Sequence, residues 1–192
     1  MANSTVVPNP PAGYQAPLQF EYPRLGLQLG AILIIILLLP LLLLLTWRLQ
    51  QTIPQFNLTL ANLGLILATI IIIVILHEII HGLAYQLFGY RVTYGASLHL
   101  MAAYAAAFGQ WQKRGHNLIV ALAPLLLLTL LLLPLLALPQ PTITLIALTG
   151  LLFNTAGAVG DLYLVWKLLS WPKTTRLYDV DLHTMLVFLP DH

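Results

Sequence analysis

Four long apolar runs constrain the fold of this chain more than any other feature. They begin at Leu25, Leu58, Leu118 and Ile143. Each is about twenty residues or longer, the length that an α-helix needs to cross a bilayer core. Only 7% of the residues are charged and 59% are hydrophobic, whereas about a quarter of a soluble domain is charged. We therefore predict an all-α polytopic membrane protein with four transmembrane helices.

The segments outside these runs are short. Residues 1–24 contain five prolines and little to bury, which favours a disordered tail. The sequence thus predicts a disordered cytoplasmic tail (1–24), a four-helix transmembrane domain (25–170) and a cytoplasmic carboxyl-terminal tail (171–192). Between the second and third runs, "ASLHLMAAYAAAFGQ" is too apolar for a solvated linker. We expect a re-entrant or hairpin element there.

Lysine and arginine positions indicate the orientation of the spans. Cytoplasmic loops are enriched in these residues. One side of the predicted membrane receives Arg24, Arg91, Lys113, Arg114, Lys167, Lys173 and Arg176. The other side receives only Arg48. We expect a multi-pass protein of a prokaryotic plasma membrane, with both termini and the middle loop in the cytoplasm.

Composition also excludes several kinds of site and partner. The chain has no cysteine, which rules out disulfides and thiolate metal sites. Its net charge of +2 is too small to indicate nucleic-acid binding. The lipid bilayer is therefore the one partner that composition itself predicts, and the oligomeric state stays open.

The second run contains "ILHEIIHGLAY", in which His77, Glu78 and His81 form a His-Glu-x-x-His pattern. Residues four apart share one face of a helix, so both imidazoles can bind one ion. Glu78 can then reach a water on that ion. This is the arrangement of zinc proteases, with the glutamate as general base.

Ionisable residues inside a membrane span need an explanation. Each costs roughly 2.5–3.5 kcal/mol at the bilayer centre, and three of them meet here in one turn. A metal site accounts for this cost. The alternative is a structural polar cluster that bonds neighbouring helices.

A catalytic zinc site needs a third protein ligand, and Asp161 is the best candidate. It is the only carboxylate in the fourth run, and it lies eighteen residues after Ile143, as His77 lies nineteen after Leu58. At about 1.5 Å per residue, both should sit at a similar depth. Asp161 is alternatively a helix-end residue that reaches water or pairs with Lys167.

Other polar residues have weaker claims. Asn154 lies seven residues before Asp161. It either donates a hydrogen bond to a substrate carbonyl or oxyanion, or forms an interhelical hydrogen bond. His116 either supports the site or donates a hydrogen bond to the transition state, or it is an interfacial histidine. His99 is expected in the hairpin element near the site. We expect the remaining candidates to be solvated: His183, Asp179 and Asp181.

Several segments together resemble the family called putative zincin peptidases, small four-span membrane proteins. They are "LHEIIHGLAYQLFGYRVTYG", "ALAPLLLL", "NTAGAVGDLYLVWKLL" and "YDVD". The wider relatives are the site-2 proteases, with His-Glu-x-x-His in one span and an Asp-Gly motif in a later one. By this resemblance His77, His81 and Asp161 would bind zinc. The sequence departs at Leu162, where the relatives have glycine, and it lacks their proline after the asparagine.

Together these features predict an intramembrane zinc metalloprotease. It would cleave membrane-embedded or membrane-associated peptides or proteins with a zinc-bound water that Glu78 activates. One alternative is a non-catalytic membrane zinc-binding or scaffold protein related to such peptidases. Another is an ion or proton transporter that uses the same polar cluster.

Overall fold

Helices carry most of the apolar residues. The computed structural model describes residues 8–52, 56–57, 59–97, 102–182 and 184–191. In this part of the chain the helices are α1 (Arg24–Gln50), α2 (Leu60–Leu87), α3 (Arg114–Leu132), α4 (Pro141–Gly157) and α5 (Val159–Ser170), with a 3-10 helix at Leu133–Ala137. Pro141 occupies the first turn of α4, where its missing N–H costs nothing.

Three of the described helices are long and apolar enough to cross a membrane: α1, α2 and α3 with its 3-10 extension. A fourth span is present if α4 and α5 count together as one broken span. The count of four transmembrane helices therefore stays a prediction, because the helix of the fourth run breaks at Ala158, between Gly157 and Gly160. Glycine is a poor helix former, and two glycines flank the break.

Six short strands correct the all-α prediction. The described strands are β1 (Leu18–Phe20), β2 (Thr93–Ser97), β3 (Ala102–Ala106), β4 (Trp111–Lys113), β5 (Arg176–Asp179) and β6 (Met185–Phe188). An antiparallel four-stranded sheet has the order β1-β6-β5-β4, and β2 pairs with β3 as a separate antiparallel ribbon. A hairpin element was expected in the region of β2 and β3; its position relative to a membrane stays a prediction.

The chain divides into two compact units. One comprises Met1–Pro23, Glu78–Ala123 and Asp161–His192. It contains both sheets and a core formed by Phe20, Ala121, Leu164, Leu168, Leu177 and Val187. This core fixes the sheet against α5.

The amino-terminal segment belongs to that core. Leu18 pairs with Val187 in the sheet, and Phe20 is only 7% exposed. The Tyr14 hydroxyl donates a hydrogen bond to the carbonyl oxygen of Thr174 over 2.8 Å. The expectation of a disordered tail is therefore wrong for these residues. A strand period of two, in Leu18, Phe20 and Tyr22, is the local signal for β1.

The other unit comprises Arg24–His77 and Pro124–Gly160. Its helices α1 and α4 pack together. At the end of α1, the Gln50 side-chain amide donates to the carbonyl oxygens of Leu136 and Leu138 over 2.8 and 2.9 Å. Gly150 of α4 lies so close to Leu132 that a Cβ would approach the leucine methyl to 2.8 Å. Small residues allow such close helix packing in membranes.

Asp179 is buried in the sheet, which corrects the prediction of a surface charge. It is 7% exposed, and its carboxylate accepts a 2.8 Å hydrogen bond from the Gln112 amide. Burial raises the pKa of Asp179 from 3.8 to about 6, and the Gln112 hydrogen bond partly opposes that rise. The ionised form of this carboxyl is therefore a cost to folding at neutral pH.

This cost predicts a specific pH dependence. The folded state holds the Asp179 proton more tightly than the unfolded state. Its contribution to stability is complete below the ordinary pKa of 3.8 and is lost as the pH rises through about 6. We expect Asp179→Asn to raise the free energy of unfolding at pH 7.5 by on the order of 3 kcal/mol, and to change it little at pH 4.

Thermal unfolding in detergent micelles, followed by tryptophan fluorescence, measures this difference. Asp181→Asn, at an exposed position two residues away, is the matched control and should leave the pH profile unchanged. A stability difference between the wild type and Asp179→Asn that does not grow with pH contradicts the prediction.

Candidate metal centre

The carboxyl-terminal half of α2 carries the two histidines and the glutamate within about one helical turn. One ligand atom from each of His77, Glu78 and His81 lies within 4.8 Å of the other two. Both histidine residues are buried, at 7% and 8% exposure. The helix itself follows from an almost unbroken run of leucine and isoleucine before His77. These donors are the ones that zinc prefers in sites without cysteine.

A neighbouring asparagine orients His77. The Nδ1 atom of His77 lies 3.0 Å from Oδ1 of Asn154. The other end of that amide, Nδ2, donates to the carbonyl oxygen of Leu125 over 3.4 Å. Since a carbonyl can only accept, it fixes which way the amide points. His77 therefore donates from Nδ1 and keeps its Nε2 lone pair for another partner.

A backbone carbonyl orients His81 in the same manner. Its Nδ1 atom lies 2.9 Å from the carbonyl oxygen of Val120 on α3. The carbonyl accepts a hydrogen bond from the Nδ1–H group, so in the neutral imidazole Nε2 of His81 carries the lone pair that can bind a cation. Histidines that bind metals commonly donate their second ring N–H to a carbonyl or carboxylate, which fixes the tautomer.

The sequence explains why the Val120 carbonyl is available as a hydrogen-bond acceptor. Pro124 lies inside α3, four residues later, and is fully buried. Proline has no N–H, so it leaves the carbonyl of the residue four positions earlier without its helical hydrogen bond. That carbonyl is the acceptor for His81. Sequence analysis missed this acceptor, although the proline spacing is a readable signal for it.

The structure places Asp161 beside His81. Its Oδ1 atom lies 3.4 Å from Nε2 of the histidine. Two ligand atoms at zinc distances of 2.0–2.1 Å and a tetrahedral angle are about 3.3 Å apart. A lone pair on Nε2 and a carboxylate repel each other unless a proton or a cation lies between them. The arrangement fits a metal ion, although the role of Asp161 as a ligand stays a prediction.

Lys167 was the alternative partner for Asp161. In the structure its ammonium lies over the rings of Trp166 and Tyr163, at 4.7 and 5.7 Å from their centroids. These aromatic contacts are typical of a cation near the end of an apolar helix.

The structure also shows the contacts of two other candidate site residues, Asn154 and His116. Asn154 is 1% exposed and makes an interhelical hydrogen bond to His77, and its role toward a substrate stays a prediction. His116 stacks on Phe88 with ring centroids 4.1 Å apart, and its Nδ1 lies 3.0 Å from the Tyr90 hydroxyl oxygen, within hydrogen-bond distance. Whether His116 supports the site or lies at the membrane interface stays a prediction. His99 and His183 lie outside the described residues.

Comparison with known families decides the affiliation. Residues 70–176 match the family model described as "Putative zincin peptidase". The chain belongs to this family. The match includes α3 and all four candidate ligand and base residues: His77, Glu78, His81 and Asp161. No curated protein and no solved structure matches the chain. The likeness to site-2 proteases stays a prediction.

For this zincin-family chain, the proline effect predicts a change in metal affinity. Pro124→Ala restores an N–H that competes with His81 for the Val120 carbonyl. We expect zinc affinity to fall about tenfold, while the thermal midpoint of the apoprotein stays equal or rises, since the helix gains a hydrogen bond. Competition with a fluorescent zinc chelator measures the affinity.

Pro40→Ala is the matched control, because Pro40 also lies inside an apolar helix. It should leave zinc affinity unchanged. Equal losses of affinity in both variants contradict a specific role for Pro124.

Proposed function

We propose that this protein is an intramembrane zinc metalloprotease. The observation that carries the proposal is the pair of Nδ1 hydrogen bonds, from His77 to Asn154 and from His81 to Val120. They favour the tautomers that keep a lone pair on Nε2 of both histidines, in the cluster with Glu78 and on a helix apolar enough to cross a membrane. A structural polar cluster needs no such control of two tautomers.

Three side chains would hold the ion: His77 and His81 through Nε2, and Asp161 through its carboxylate. A zinc ion held there would supply a Lewis acid and would lower the pKa of its water from 15.7 to about 7. Asn154 and Val120 hold the two rings in the binding tautomer. Asp161 adds a negative charge, which keeps the site attractive to a divalent cation.

Glu78 would act as the general base. As the direct neighbour of His77, it lies beside the ligand atoms rather than one turn away. It would take a proton from the attacking water and then give it to the leaving amine nitrogen. This role leaves Glu78 unchanged after each cycle, as a hydrolase requires.

The substrate would be a membrane-embedded or membrane-associated peptide or protein. The outer faces of α1 and α2 expose large apolar residues, among them Leu25, Ile36, Leu67 and Ile75. Apolar surface of this extent needs a lipid or protein cover. We also propose cytoplasmic termini and polar access to the site from that side, because lysine and arginine concentrate there.

The deciding experiment compares zinc content and peptide cleavage in the wild-type protein and in Glu78→Gln. Zinc with Glu78-dependent cleavage supports a protease. Bound zinc without any cleavage supports the alternative of a non-catalytic zinc-binding protein. An absence of zinc after reconstitution overturns the metal site itself.

A further inference from the structure

One glycine of α2 has an unusual neighbour. Gly82 follows His81 directly, and a Cβ at this position would overlap the ring of Tyr94, with the hydroxyl oxygen as the nearest atom. The phenol therefore lies side-on against the helix at Gly82, with its oxygen and the adjoining ring edge both in the space of a Cβ. Glycine inside a helix costs about 1 kcal/mol relative to alanine. Here it makes room for a phenol.

The position of this hydroxyl relative to the candidate site follows from helix geometry. Gly82 lies four residues after Glu78, and side chains at that spacing are neighbours on one face, about 5–6 Å apart between Cβ atoms. The Tyr94 oxygen takes up the space of a Cβ at Gly82. It therefore lies next to the turn that carries Glu78 and His81.

Strand β2 presents Tyr94 to the helix. Tyr94 pairs with Ala105 of β3, and the next residue, Gly95, is covered by the ring of Tyr104 across the ribbon. Successive strand residues point to opposite faces. The two tyrosines of the ribbon therefore have different neighbours. Tyr94 lies against Gly82 of α2, whereas Tyr104 lies against Gly95 of the ribbon itself.

We propose that Tyr94 is a catalytic residue that donates a hydrogen bond to the carbonyl oxygen of the scissile peptide as negative charge develops on it. The proposal rests on the proposed protease function. The Tyr94 hydroxyl keeps its proton throughout the reaction, and no covalent bond to Tyr94 forms or breaks. Preorganised donors of this type stabilise the transition state more than the ground state.

A purely structural tyrosine is the competing explanation, and the two differ in what the oxygen does. A ring that only fills space against Gly82 works equally well as phenylalanine. An oxyanion donor is lost in Tyr94→Phe, although the ring remains. Tyr104→Phe removes the corresponding oxygen from the same ribbon and is the matched control.

The experiment uses two zinc-binding probes on zinc-loaded, detergent-purified protein. A phosphinic Leu-Ala dipeptide offers charged oxygens on a tetrahedral centre. A mercaptoacyl Leu-Ala dipeptide binds zinc through sulfur and offers no such oxygen. Calorimetric titration gives both affinities, and metal analysis gives the zinc content of each variant.

We expect Tyr94→Phe to keep its zinc, to bind the phosphinic probe about 10- to 100-fold more weakly, and to bind the mercaptoacyl probe as the wild type does. Gly82→Ala should reproduce this selective loss, because its methyl group displaces the hydroxyl. Tyr104→Phe should bind both probes normally.

Equal weakening of both probes in Tyr94→Phe, or no weakening of either, overturns the role of Tyr94. Full phosphinic affinity in Gly82→Ala also overturns it. A wild-type protein without zinc overturns the proposed function instead. A zinc-loaded wild type that binds only the mercaptoacyl probe retains the metal site and removes the oxyanion donor.

Discussion

Glu78→Gln is expected to abolish peptide cleavage while the protein keeps its zinc. Glutamine has the size and shape of glutamate, so the helix and the two histidine hydrogen bonds persist. It cannot accept the proton of the attacking water. Loss of a general base lowers the rate about 10²- to 10⁴-fold, so cleavage should fall by that factor.

The assay need not assume a substrate. Protein reconstituted in liposomes is incubated with a library of membrane-segment peptides, and mass spectrometry identifies new termini. The chain has only one other glutamate, Glu21, which lies outside the helices. Glu21→Gln is therefore the matched control and should cleave normally. Undiminished cleavage by the Glu78 variant contradicts the mechanism.

The part of the site that lies within one helix was predictable from sequence. The spacing of His77 and His81 requires only a helix, and the surrounding apolar residues ensure one. The residues that orient them were harder to predict. Asn154 is 77 positions from His77 along the chain. No local sequence pattern predicts that these two side chains form a hydrogen bond. The Val120 carbonyl is a backbone group, and the only sequence signal for its availability is the proline at position 124.

The fold shows the same division between local and distant information. Long apolar runs predicted the helices, because each run satisfies its own backbone. The sheet needs partners from both ends of the chain, such as Leu18 with Val187. Strands of three to five residues have weak periodicity, and their stability comes from packing. Burial of Asp179 follows from that packing and could not be inferred from a charged residue in a terminal segment.

Zinc content is expected to be about one ion per chain in the wild type, and to be lost in His81→Ala and in Asp161→Ala. A structural or catalytic zinc needs at least three protein ligands. Removing one from a set of three lowers affinity beyond what purification tolerates. Metal analysis of detergent-purified protein, with reconstitution in excess zinc followed by desalting, measures this directly.

His116→Ala is the matched control, because His116 is engaged with Phe88 and Tyr90 and should not affect zinc. Loss of zinc in both test variants establishes that Asp161 shares the ion with the histidine 3.4 Å away. Loss in the histidine variant alone keeps the metal but assigns the third ligand to another residue, with His99 as the next variant to make. In that case the contact between Asp161 and His81 is an ion pair, and the imidazole carries the proton that lies between them.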